Sequence, residues 1–195
     1  MTSVESALRR AAADLNAVGV RWALVGGLAV SARAIPRFTK DLDFAIAVGN
    51  DAEAEEVVRR LDARGYRPVE VVEQDYVERL SGVRLEARGS DVVVDLLFAS
   101  SGIENEVVSG ADLLEILPRL TIPVATTAHL IALKVLAGRT QDLTDLGYLI
   151  PEGTPADLDN AREAVKLIQN RGFNREQDVV ADLEQLIADS SPVQP

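Results

Sequence analysis

The spacing of apolar and polar positions changes period several times along the chain. Ala7, Leu8, Ala11, Leu15 and Val18 recur at helical intervals, and Gly19 suits the C-terminal end of that helix. Thr2-Ser3-Val4-Glu5 stands ahead of them with capping-box spacing. Residues 21–25 are a short apolar run that reads as a buried strand, broken by Gly26-Gly27. Residues 28–34 predict a short helix that closes before Pro36. Residues 41–48 alternate as a strand, with Leu42, Phe44 and Ile46 on one face and Asp41 and Asp43 on the other. Asn50 is placed to cap a helix over 51–64 that ends at Gly65, and 66–72 predict a strand. Residues 83–88 and 91–99 read as a hairpin through Gly89-Ser90. Residues 109–117 predict a helix, and 120–124 a short strand.

From residue 126 the pattern is wholly helical. It predicts helices over 127–136, ended by Gly138, and over 140–150. A third opens at Thr154-Pro155-Ala156-Asp157, with proline at the favoured first position. A fourth opens at 174–177 and runs to about 189. The expected fold class is therefore α+β: a small mixed β-sheet core with flanking helices over 1–124, then an α-helical C-terminal half over 125–195 that closes a cleft.

Composition narrows the chemistry. With 195 residues, 47% of them apolar, the chain can bury a sizeable core, and no apolar run approaches a membrane span. The absence of cysteine removes disulfides and thiolate metal sites, and a single histidine, His129, excludes any site that needs two. No signal peptide is evident at the N-terminus, so the expected location is cytoplasmic, with no membrane partner. The net charge of −11 rules out bulk attraction to nucleic acid. A local basic stretch remains, because residues 15–40 carry Arg21, Arg33, Arg37 and Lys40 and no acid.

Three features carry candidate chemistry. Asp41 and Asp43 share one strand face, where two carboxylates repel unless a cation lies between them, and Mg²⁺ prefers such oxygen ligands (Mn²⁺ is an alternative). Asp95 sits inside the apolar run Val92-Val93-Val94-Asp95-Leu96-Leu97-Phe98. There it must be metal-bound, in a two-metal phosphoryl-transfer site, or paired with an arginine. Gly26-Gly27 ends a strand and starts a helix, which suits either an anion-binding turn or a tight turn with positive φ. Lys134 is one of only three lysines and lies in a stretch, residues 130–138, that is otherwise apolar or small. It is either aimed into a cleft at phosphate or snorkels to solvent. Arg139, Asp142 and Asp145 follow, able to orient Lys134 or to bind substrate directly. His129, Trp22 and Tyr148 read as structural residues, the latter two as packing.

These residues resemble a known family. Ala23-Leu24-Val25-Gly26-Gly27-Leu28-Ala29-Val30, then Arg33, then Arg37-Phe38-Thr39-Lys40-Asp41-Leu42-Asp43, is similar to the first motif of DNA-polymerase-β-type nucleotidyltransferases. More narrowly, it resembles the AbiEii and MenT toxin branch. The stretch from Leu133 to Leu146, Leu-Lys-Val-Leu-Ala-Gly-Arg-Thr-Gln-Asp-Leu-Thr-Asp-Leu, resembles that branch's lysine motif and the acidic motif after it. The resemblance implies metal ligation by Asp41, Asp43 and Asp95. It also implies a phosphate-binding turn at Gly26 and Gly27, and triphosphate contact from Lys134 with help from Arg33. Asp142 or Asp145 would be the later acidic residue. Where the family often carries serine after the glycines, Leu28 stands here, so that contact falls to backbone or to Ser31. Arg37, Lys40 and Arg139 are candidates for RNA contact.

The implied activity is that of a toxin with a cognate antitoxin. It would add a nucleotide from an NTP, perhaps CTP or UTP, to the 3′ end of tRNA and block translation. Rival readings are a nucleotidyltransferase acting on an aminoglycoside or lincosamide drug or on a protein hydroxyl, an inactive nucleotide- or partner-binding module, and a plain structural α/β domain.

Overall fold

The computed structural model describes residues 3–36, 39–74 and 78–190. Helix α1 (Ser3–Val18) leads into strand β1 (Arg21–Val25), helix α2 (Gly26–Arg33), strand β2 (Asp41–Ala47) and helix α3 (Asp51–Asp62). Strands β3 (Tyr66–Gln74), β4 (Arg79–Ala87) and β5 (Val93–Leu97) follow, then helix α4 (Glu104–Ser109) and strands β6 (Asp112–Leu117) and β7 (Leu120–Val124). Helices α5 (Thr127–Ala137), α6 (Thr140–Glu152), α7 (Pro155–Asn170) and α8 (Val179–Ser190) complete the chain's described elements.

The strands form one mixed sheet in the order β3-β4-β5-β2-β1-β7-β6. β2 is central and pairs antiparallel with β1 and parallel with β5. Its alternation decides its faces: Leu42, Phe44 and Ile46 are completely buried, while Asp41 and Asp43 are only partly so. Trp22 on β1 stacks edge-on against Phe44, with ring centroids 5.3 Å apart, and donates its indole N–H to Asn16 Oδ1. α1 lays Leu8, Ala11, Leu15 and Val18 into the same core. The core is continuous into the helical half, where Leu130, Ile131, Leu146, Leu149, Val165 and Ile168 are buried.

Caps fall largely where the sequence places them. Asn50 Oδ1 accepts from Glu53 N–H at 3.0 Å, and Thr154 with Asp157 forms a reciprocal capping box ahead of Pro155. Gly138 ends α5 in the left-handed conformation, φ 62°. Thr126 caps the start of α5 and also bonds His129 Nδ1, so the histidine is a helix-terminus residue.

The structure corrects three expectations. Residues 109–117 are not a helix: α4 ends at Ser109, and Asp112–Leu117 is the edge strand β6, paired antiparallel with β7. The spacing of Leu113, Leu114, Ile116 and Leu117 mimics a helical stripe, but a run this short has no period of its own. Residues 174–177 form a turn, and the fourth helix of this half starts at Val179. Tyr148 is 44% exposed and is not a core residue. Thr2, of the expected capping box, lies outside the described residues.

Candidate active site

The site is built where β1 hands over to α2. Gly26 has φ 63°, a left-handed conformation that side chains resist. It also lies against its neighbour across the sheet, since Val25 is in register with Asp43. A Cβ on Gly26 would run into the Asp43 carboxylate. Glycine is therefore required twice over, for the turn and to seat the acid. No side chain caps α2 and no acid lies in its first turn, so the anion nearest the helix start is the Asp43 carboxylate across the sheet.

On the other side of β2, Asp43 is directly opposite Asp95 of β5. Asp95 is thus on the strand the sequence predicts, beside Asp43. Both its oxygens, however, are held by Arg84 of β4: Nε to Oδ1 and Nη2 to Oδ2, each 2.9 Å. As the structure stands, Asp95 is half of a bidentate ion pair rather than an open third ligand, which is the alternative the apolar strand leaves open. Arg84 escaped the sequence reading, yet its signal was present. A hairpin centred on Gly89-Ser90 places residue 84 opposite residue 95, the register observed.

The fourth component comes from the helical half. Lys134, on α5, is buried, and its ammonium lies 2.5 Å from Asp142 Oδ1 and 2.8 Å from Asp145 Oδ2, both on α6. Arg139 donates from Nε to Asp142 Oδ2 at 2.7 Å while the rest of its side chain is exposed. Burial pushes the Asp142 carboxyl up, but hydrogen bonds from Arg139 and Lys134 outweigh this and hold it below the usual carboxylate range. Of the two roles open to Asp142 and Asp145, orienting Lys134 is the one the contacts display.

These parts meet in one cavity of about 400 Å³, lined by Gly26, Asp43, Arg84, Asp95, Lys134 and Arg139 among others. Burial first, then the charge of Asp95 and that of Asp41, push the Asp43 carboxyl up to about 6, against the pull of Lys134 and Arg139. Asp41 stands two residues from Asp43 on the same strand face, with its neighbouring charge felt by both Asp43 and Arg84. A carboxylate destabilised by its own kind is what a bound cation would relieve, so the residues fit a divalent ion held by Asp41 and Asp43. Among the described residues, no three acidic, imidazole or thiolate groups are gathered closely enough to cage an ion by themselves. Any metal here would complete its shell with substrate or water oxygens.

Not every candidate reaches the cavity. Arg33 lies at the last turn of α2, about two turns from Gly26. Its guanidinium is committed to Val124 O, Ala125 O and Asp112 Oδ2 at 3.1, 3.0 and 2.8 Å, where it ties α2 to the β6–β7 edge. The expectation that it grips the triphosphate is corrected by that commitment. Ser31 donates to Gly27 O within the helix and does not line the cavity. Lys40 is exposed just ahead of Asp41, and Arg37 lies outside the described residues. In compensation, Arg175, from the turn before α8, lines the cavity with no local sequence signal to announce it.

The family model described as nucleotidyl transferase AbiEii toxin, type IV TA system, matches residues 7–191. Among curated proteins, none matches the chain. Among solved structures, an antigenic nucleotidyltransferase-like protein from Paracoccidioides brasiliensis is similar over 93% of this chain and 92% of its own, with 17% identity and a TM-score of 0.51. ANT(2″)-Ia, solved in complex with adenylyl-2″-tobramycin, is similar over 97% of this chain and all of its own, with 14% identity and a TM-score of 0.52. At such identities the likeness shows the fold, which is that of nucleotidyltransferases. With nearly its whole length matched by the family model, the chain belongs to the AbiEii family of nucleotidyltransferase toxins of type IV toxin–antitoxin systems.

Proposed function

We propose that this nucleotidyltransferase transfers a nucleoside monophosphate from an NTP, with a pyrimidine preferred, to the 3′-hydroxyl of tRNA. Translation then stops until a cognate antitoxin intervenes. The observation that carries the reading is the convergence of Gly26, Asp43 and Lys134 on one cavity from three separate parts of the chain. The 3′-oxygen bonds to the α-phosphorus, the bond from that phosphorus to the bridging oxygen breaks, and pyrophosphate leaves.

Asp41 and Asp43 would hold Mg²⁺, or Mn²⁺ in its place. When bound, the ion supplies charge for the triphosphate and acidity for the attacking hydroxyl. The backbone of Gly26 and Gly27 and the uncapped start of α2 receive phosphate oxygens. Lys134, fixed by Asp142 and Asp145, directs its positive charge at the leaving phosphates. Arg139, exposed and lining the cavity, and Lys40, exposed beside Asp41 in the sequence, are suited to the RNA backbone. The helical half, 125–195, serves as the wall that closes the cleft. No helix among the described residues is long and apolar enough to cross a membrane, and a cytoplasmic site of action fits a tRNA acceptor.

A second reading rests on charge. A net charge of −11 attracts a cationic acceptor such as an aminoglycoside better than it attracts RNA. One experiment separates the two. The purified protein is given Mg²⁺ and each α-labelled NTP in turn, with total RNA, total protein or a panel of aminoglycosides and lincosamides. Label in tRNA-sized RNA, strongest from CTP or UTP, is expected. Label in drug or protein alone would move the acceptor, and no label in any would leave a binding module.

A further inference from the structure

The turn between α7 and α8 is built at an energetic cost. Arg175 and Glu176 are successive non-glycine residues with φ 54° and 62°. Left-handed residues of this kind are strained and persist only when their surroundings enforce them. The surroundings here do so. Asn174 and Gln177 close the turn on each other, with Asn174 Nδ2 donating to Gln177 O at 2.6 Å and Gln177 N–H to Asn174 O at 2.9 Å. Phe173 is seated on Gly102, where a Cβ would collide with its ring.

The product of this geometry is the Arg175 side chain, which enters the same cavity as Asp43, Lys134 and Arg139. Arg84, Lys134 and Arg139 are each matched by a carboxylate there. Arg175 differs. Its hydrogen bonds go to Ser100 O and Ser100 Oγ, at 3.2 and 3.3 Å, both neutral acceptors. Among the described residues no carboxylate lies within ion-pair distance of it. The nearby acid, Glu104, uses its Oε1 on the amides of Ser100 and Ser101 and on the Ser101 hydroxyl. Partial desolvation, and then the like charge of Arg139, lower the guanidinium's affinity for its proton, and the charge of Glu104 opposes them. An exposed guanidinium at the cavity wall, with neutral hydrogen-bond acceptors, a cationic neighbour and a strained backbone, is stabilised by an incoming anion.

We propose that Arg175 is a phosphate clamp of this active site, binding a substrate phosphate group from the turn between α7 and α8. The inference rests on the nucleotidyl-transfer reading for its substrates, not for its geometry. Two substrates bring phosphate into the cavity, the nucleotide's triphosphate and the phosphodiester backbone of an RNA acceptor.

Arg175→Gly is the variant of choice, because glycine accepts the left-handed turn and relieves its strain. A melt should show it at least as stable as wild type. Binding of Mg²⁺ with inorganic triphosphate, and of Mg²⁺ with CTP, is measured by calorimetry, and binding of a total tRNA pool by filter retention at several salt concentrations. Loss of about ten- to a hundred-fold in triphosphate and CTP affinity, with tRNA binding unchanged, assigns the clamp to the nucleotide. Unchanged triphosphate affinity, with weaker tRNA binding and a salt slope shallower by about one, assigns it to the acceptor. Equal affinities of variant and wild type for all three ligands, or no binding of any by wild type, overturn the clamp. If wild type labels no RNA yet Arg175→Gly still weakens triphosphate binding, the tRNA reading fails and the clamp stands.

Discussion

Asp43→Asn should make the metal-free protein more stable while removing its activity. The Asp43 carboxyl is raised from 3.8 to about 6, chiefly by burial and by Asp95. The folded state therefore holds this proton more tightly than the unfolded chain does. The associated stability is complete below about pH 4, is lost as pH rises through about 6, and stays lost above. A shift of roughly two pH units corresponds to about 3 kcal/mol of strain at neutral pH. Asparagine keeps the shape and carries no charge, so the variant should recover much of that amount. For a chain of this size the melting temperature should rise by roughly 5–10 °C at pH 8 and by little at pH 4. Saturating Mg²⁺ should raise the melting temperature of wild type and not of the variant. The assay is a set of thermal melts at pH 4, 6 and 8, with Mg²⁺ or with EDTA. An advantage for asparagine that is equal at all three pH values, or absent at pH 8, would refute the account of Asp43 as a carboxylate held ready for a cation.

Other perturbations test the remaining parts. Lys134→Ala takes the ammonium from two buried carboxylates, leaving Asp142 to Arg139 and Asp145 to the neutral Gln141 amide, and should cost about 3 kcal/mol in a urea titration. The combined variant Lys134→Met, Asp142→Asn, Asp145→Asn should regain most of that stability and still show no transfer; recovery of transfer would remove Lys134 from the chemistry. Gly26→Ala should lower kcat at least a hundred-fold, because its side chain must displace the Asp43 carboxylate, and should lose about 1–3 kcal/mol in the same titration. A fully active Gly26→Ala enzyme would show that the turn is not part of the site.

Much of the fold is readable in the residues because local and tertiary requirements coincide. β2 alternates because one face is core and the other is the site, so the pattern and the chemistry come from the same cause. Asn50, Gly138 and Thr154 end their helices through local hydrogen bonds or a left-handed residue, and such rules act at short range. β6 misleads because its partner, not its own spacing, makes it a strand: Leu114 pairs with Ile122 and Leu113 with Pro123. Arg33 misleads for a similar reason. Its sequence position beside the site motif says nothing of the Val124 and Ala125 carbonyls that take its guanidinium. Lys134 was conspicuous by composition, but which acid holds it depends on how α6 packs against α5, and both Asp142 and Asp145 do. Arg175 had no sequence signal, since its reach is set by a turn conformation that neither arginine nor glutamate favours.

If a metal ion on Asp41 and Asp43 drives nucleotide transfer, as proposed, labelling must fail without either the ion or Asp41. Incorporation of α-labelled CTP or UTP into tRNA by wild type and by Asp41→Ala, with Mg²⁺ and with EDTA, tests it most directly. Label is expected with wild type and Mg²⁺ alone, and none from an Asp41→Ala protein that melts as a folded chain. Undiminished labelling by that variant, or by wild type in EDTA, would contradict it.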